Sequence, residues 1–138
     1  MKGRVYPATP PYAVSRERIR AFADAIGDPS PVYRDPVVAA AFGYPDVLAP
    51  PTFPVVFTTE AGRPVLADLG AVESDVLHTG QRLEYHRPVR AGDNLTCTVV
   101  VTELRSVGEA NMVTIRTDVA TVEGEAVLSE YTTLLVKS

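Results

Sequence analysis

Apolar positions recur along this chain with two different periods, and the change falls near Asp75. Before it the spacing is helical. Ile19, Phe22, Ala23 and Ile26 stand at i, i+3, i+4 and i+7, which puts them on one face of a helix. Ser15 is placed to cap that helix, predicted from Arg16 to about Ile26, and Gly27 to end it in a left-handed turn. An alanine-rich stretch from Asp35 to Phe42, closed by Gly43, predicts a second short helical turn. Leu48-Ala49-Pro50-Pro51-Thr52-Phe53-Pro54 is a stiff lead-in to a third helix, because proline is tolerated in a first turn, where its missing N–H costs nothing. The residues that follow, Val55 to Ala61, are apolar on more than one side and suit a helix surrounded by protein. Gly62 and Pro64 should break or kink it, with Val65 to Leu69 forming a further short turn.

After Asp75 the period becomes two. Leu83 and Tyr85 lead to Pro88, and Arg90-Ala91-Gly92-Asp93 reads as a turn. Leu95, Cys97, Val99 and Val101 alternate with threonines, the pattern of a half-buried strand. Val113, Ile115, Thr117 and Val119 form the next strand, Val122-Glu123-Gly124-Glu125 a tight hairpin, and Ala126 to Val136 the last strand, with Leu128, Leu134 and Val136 on one parity. Helices early and an antiparallel sheet of four or five strands late make an α+β fold. The apolar helix after Pro54 is the natural cover for one sheet face, so the sheet should curl around it. Such a sheet leaves edge strands exposed, and pairing with a second copy or a relative is expected.

Composition narrows the function more than the fold. The 138 residues suit one domain spanning 1–138. Net charge is −4 and no Lys/Arg run is longer than two residues, so nucleic acid and anionic membrane are poor partners. No stretch approaches the roughly 20 apolar residues of a membrane span, and the first residues lack the apolar run of a signal peptide; a cytoplasmic protein is expected. Cys97 is the single cysteine and should be a small buried hydrophobe. His78 and His86 are the only histidines, and neither stands at a metal-ligand spacing from another His or Cys. No metal and no cofactor is expected.

The residues that could carry chemistry follow the first helix: Gly27-Asp28-Pro29-Ser30-Pro31-Val32-Tyr33. This run, with Phe22 to Ile26 before it, resembles the signature of the MaoC-like (R)-specific hydratases and dehydratases, whose motif runs G-D-x-N-P-x-H. Gly27, Asp28 and Pro31 match; Ser30 stands for the Asn and Tyr33 for the His. Leu48 to Phe53, Tyr85 to Asp93 and Tyr131 to Leu134 resemble the same family. The resemblance implies the hot-dog fold, which agrees with the layout read from the periodicity. It is nearest to the accessory subunit of actinobacterial 3-hydroxyacyl-ACP dehydratases, whose partner subunit carries the intact Asp/His pair.

Hydration of a trans-2-enoyl thioester needs a base for water and an acid for the α-carbon, and an Asp with a His can serve as both. Tyrosine, with an ordinary pKa near 10, can donate a hydrogen bond but is a poor base. The resemblance further implies a backbone N–H at the start of the central helix that stabilises the enolate. Pro50-Pro51 replaces a His-Gly pair there, and proline has no N–H to give. The expected reading is an accessory subunit that binds an acyl-CoA or acyl-carrier-protein substrate through Pro50, Pro51, Thr52 and Phe53. Asp28 and Tyr33 occupy the degenerate catalytic positions, and the partner is a catalytic hot-dog subunit or a second copy of this chain. Three alternatives stay open: a self-sufficient hydratase using Asp28 with Tyr33, a hot-dog thioesterase using Glu60 on the central helix, and a non-catalytic acyl-binding module. Without the resemblance Asp28 would read as a turn residue, Tyr33 as a packed aromatic, Asp93 as a turn former, and Arg16, Arg18 and Arg20 as a solvated helix face.

Overall fold

The computed structural model describes residues 1–137, Glu73 in its backbone alone. Its helices come first: α1 (Arg16–Ala25), a 3-10 turn (Pro31–Tyr33), α2 (Pro36–Ala41), α3 (Val55–Ala61) and α4 (Arg63–Asp68). The strands are β1 (Tyr12–Ala13), β2 (Val76–Tyr85), β3 (Asn94–Val107), β4 (Ala110–Thr121) and β5 (Ala126–Lys137). They form one antiparallel sheet in the order β1-β3-β4-β5-β2.

Local chemistry explains the boundaries. The Ser15 hydroxyl accepts the Arg18 N–H at 3.1 Å and caps α1. At the other end Gly27 adopts φ +72°. The Gly27 N–H then reaches the Asp24 carbonyl and the Asp28 N–H reaches that of Ala23, the pair of bonds that closes a helix through a left-handed residue. Asp35 caps α2 by accepting the Val37 N–H. Helices α3 and α4 are one apolar segment interrupted at Gly62, where Pro64 lacks the N–H that would continue the ladder. The second helical piece begins at Arg63, two residues before the expected Val65.

The sheet buries one parity of each strand. Leu95, Cys97, Val99 and Val101 of β3, Val113, Ile115 and Val119 of β4, and Leu128, Leu134 and Val136 of β5 pack on Phe53, Phe57, Ala61 and Val65. Phe53 is fully buried, with its ring edge-on to Phe22 at 5.6 Å and 6.3 Å from Phe57. This is the sheet curled around a central helix.

One expectation needs correction. The helix after Pro54 is not enclosed by this chain: Phe57, Thr58 and Ala61 face the sheet, but Val55, Val56, Thr59 and Glu60 are exposed. A single sheet can wrap only one side of a helix, and the apolar residues on the other side are left for something else.

The chain before β1, for which the periodicity gave no element, also has a place. It runs along the outer edge of β3, with Gly3, Tyr6 and Thr9 donating backbone hydrogen bonds to Val101, Val99 and Cys97, and Val14, just after β1, donating to Asp93. The Tyr6 hydroxyl fastens it to α4 through Asp68 at 2.6 Å.

Candidate functional site

Asp28 lies just past the end of α1. Its Oδ1 accepts the Ser30 N–H at 3.0 Å, a local turn that mimics a backbone bend. That turn feeds the 3-10 turn carrying Tyr33. Burial, and after it the negative charge of Asp28, holds the Tyr33 phenol above its ordinary pKa. The two motif positions are therefore electrostatic neighbours, and burial with the neighbour makes Tyr33 a weaker acid than an ordinary tyrosine. Arg34 braces the loop, reaching the Ser30 carbonyl at 2.9 Å and Asp24 at 2.6 Å.

The Pro50–Phe53 stretch is joined to this loop. The Leu48 N–H donates to the Val32 carbonyl at 3.0 Å and the Ala49 N–H to Val89 at 2.8 Å. Pro50 is buried, Pro51 and Thr52 are exposed, and Phe53 enters the core beneath them. The Phe53 N–H is spent on the Pro50 carbonyl at 2.9 Å. The Pro51 carbonyl accepts the Tyr85 hydroxyl from β2 at 2.5 Å. One backbone hydrogen bond, from Leu48 to Val32, thus ties the chain leading to the proline pair to the segment that carries Tyr33.

A cavity of 360 Å³ lies between the α3–α4 segment and strands β2, β4 and β5, and none of Asp28, Tyr33, Pro50, Pro51, Thr52 and Phe53 lines it. Val55, Leu66, Val76, Ile115 and Leu134 supply apolar walls. Its other side is polar and holds a group that the periodicity reading passed over: Glu130, only 5% exposed. Glu130 Oε2 accepts the Thr58 hydroxyl at 3.0 Å and Oε1 that of Thr132 at 3.2 Å. Burial, and then the Glu130 charge, pushes the Tyr85 phenol up to about 12. The signal for Glu130 was present in the sequence, since it shares the inward parity of Leu128, Leu134 and Val136.

Other candidates fall elsewhere. Glu60 lies on the outer side of α3, 67% exposed in its side chain and paired to Arg63 at 2.9 Å. It borders a second recess, of 470 Å³, on the far side of that helix with Tyr6, Tyr12, Phe57 and Cys97. Asp93 is more than a turn former: both its oxygens pair with Arg87, at 2.9 and 3.0 Å, and it is buried. Arg16 holds Asp46 through two bonds and Arg18 covers the Tyr12 ring, so that helix face is partly engaged. His78 lines the 360 Å³ cavity, while His86 is exposed beyond β2. Among the described residues no three His, Cys, Asp or Glu side chains gather to hold a metal ion.

A family model described as FAS1-like, dehydratase domain region, matches residues 1–130. The chain belongs to this family. A UPF0336 protein of Thermobifida fusca (strain YX) is 44% identical over 137 residues, covering 98% of this chain and 90% of its own. Another, from Streptomyces avermitilis, is 46% identical over 138 residues, covering 99% and 92%. Among solved structures a MaoC-like dehydratase superposes with TM-score 0.91 at 31% identity, over 99% of this chain but 42% of its own. The C-terminally truncated HadBC complex of Mycobacterium tuberculosis, a 3R-hydroxyacyl-ACP dehydratase, gives 0.86 at 29% identity, over 97% and 96%. The α+β layout expected from the periodicity, and the hot-dog fold and MaoC-like family expected from the motif, hold for this chain. Among the described residues no helix is long and apolar enough to cross a membrane.

Proposed function

We propose that this chain is the substrate-binding subunit of a (3R)-hydroxyacyl-thioester dehydratase or enoyl hydratase, and that a second hot-dog subunit supplies the Asp/His pair. The observation that carries the reading is Tyr33. It stands where the family motif has an imidazole; a phenol holds its proton at neutral pH, and burial with the nearby Asp28 makes it a weaker acid still. A protonated phenol cannot take a proton from water. The prolines at the helix lead-in remove N–H groups where an enolate oxygen would be received, and the loss of one such donor costs on the order of 10²–10³ in rate. Pro50, Pro51, Thr52 and Phe53 then serve to position the thioester, and the adjoining cavity to take the acyl chain.

HadBC, which this chain resembles at 29% identity, is itself a complex, and the bare strand β2 offers an edge to a partner of the same fold. The carrier is coenzyme A or acyl-carrier protein, which places the work in the cytoplasm. Hydration of a trans-2-enoyl thioester, followed by loss of its absorbance, tests the proposal. The chain alone should act barely above background, and mixing with a hot-dog subunit carrying the intact G-D-x-N-P-x-H motif should raise the rate by at least about a hundredfold. Brisk hydration by the chain alone would overturn it.

A further inference from the structure

Glu130 is at odds with a cavity meant for a plain hydrocarbon. It sits in the middle of β5, opposite Thr117 of β4 in register, with its carboxylate under α3. Both groups that bind it, Thr58 and Thr132, are neutral hydroxyls, and no described cation pairs with it. An ionised carboxylate offers about four acceptor sites, and two are used. A methylene chain laid against the remainder would strip its water and return nothing, a cost of about 1–3 kcal/mol or more for a charged group. The polar lining of the cavity extends beyond this residue, to Thr59, Thr117 and Gln81.

We propose that this cavity receives the distal part of an acyl group that carries a hydroxyl, and that Glu130 accepts the hydrogen bond from it. The inference rests on the acyl-binding role proposed above and names the class of acyl group. The cavity begins at Val55, directly after the Pro50–Phe53 stretch and Pro54, and none of its lining residues comes from the Asp28–Tyr33 loop. A thioester positioned by Pro50 to Phe53, none of which lines the cavity, therefore sends its tail, not its C3 hydroxyl, toward Glu130. The volume of 360 Å³ is near the lower end of the roughly 300–1,000 Å³ seen for ligand pockets, which suits a chain of moderate length.

The test is calorimetric titration of the purified chain with hydrolysis-resistant acyl thioethers of coenzyme A. Each straight chain from hexanoyl to dodecanoyl is paired with its ω-hydroxy counterpart. At one or more lengths the ω-hydroxy ligand should bind about tenfold more tightly. Glu130→Leu should abolish or reverse that preference, while Glu130→Gln, which keeps an acceptor oxygen, should keep part of it. Equal or tighter binding of the plain chain at every length overturns the inference and leaves the acyl-binding role standing. Failure of every ligand to bind overturns both. The comparison on the unaltered chain decides the matter even where Glu130→Leu does not fold.

Discussion

Asp28 keeps its turn whether or not it carries a charge, because an amide oxygen can accept the Ser30 N–H as a carboxylate does. In the assembly proposed above, Asp28→Asn and Tyr33→Phe should therefore leave kcat within about twofold, whereas a substitution of the motif histidine of the proposed partner should reduce it by at least about a hundredfold. Steady-state hydration rates of the mixed subunits check this. A large loss from Tyr33→Phe alone would return the chemistry to this chain. Cys97 supports a second expectation at the same scale. Burial, opposed by the hydrogen bond with Thr9 and reinforced by the Glu130 charge, pushes its thiol up to about 11. Iodoacetamide at pH 8 should leave the native thiol unlabelled and react on addition of urea. The sign for stability follows from the same shift. The unfolded thiol ionises near its ordinary value of 9.0 and the folded one near 11, so stability falls as pH rises through that window. Cys97 and Tyr33 were legible in the sequence, one from its strand parity and the other from its motif position. Glu130 shares the parity of three apolar neighbours, but the partners that make its burial tolerable come from α3 and from its own strand. Only the folded chain shows that Thr58, 72 residues away, meets it.

Helix α1 owes its length to its two ends. Ser15→Ala should cost about 1 kcal/mol. Gly27→Ala should cost a similar amount: a Cβ there meets no atom within 4 Å, so the penalty is the left-handed φ of +72° and not a clash. Urea unfolding of each variant measures both. The stretch from Tyr85 to Asp93 has a different anchor. Arg87 and Asp93 keep side-chain exposures of 14% and 7%, and Glu125 joins Arg87 at 3.1 Å. Arg87→Met would strand a buried carboxylate and should destabilise by about 3 kcal/mol, part of which Arg87→Met with Asp93→Asn should restore. The Arg87 guanidinium also holds the Glu125 carboxyl below its ordinary value. That contribution is present above the unfolded pKa and is lost as pH falls through the folded one, so the wild type should lose it in acid and Arg87→Met should not. Element types were readable because helix caps and strand alternation are local. The ion pair was not, since Asp93 alone reads as a turn residue and its partner enters from the other side of Pro88.

The two edges of the sheet are treated differently. At the β3 edge the first residues of the chain add backbone hydrogen bonds from Gly3 to Val14, and β1 pairs there too. At the other edge β2 pairs with β5 alone. Along its ten residues side chains are exposed at all but Val76 and Leu83; Leu77 is 61% exposed. A long strand with no proline and one free row of backbone groups invites a neighbouring strand. The apolar side of α3 left open by Val55 and Val56 means that this chain does not cover its own helix. The sequence announced an exposed edge without saying which, because the guard over β3 comes from residues whose prolines and short polar runs carry no strand period. The consequence is a directional prediction. Leu77→Lys, placed on the exposed part of β2 beyond the core, should shift the light-scattering mass of the purified protein toward that of one chain and weaken capture of the motif-bearing subunit. Its far-UV spectrum should be unchanged. Val5→Lys, an equally exposed apolar position beside the guarded β3 edge, should leave the mass as it was. Equal effects of the two substitutions would show that general surface hydrophobicity, and not the open strand, governs association.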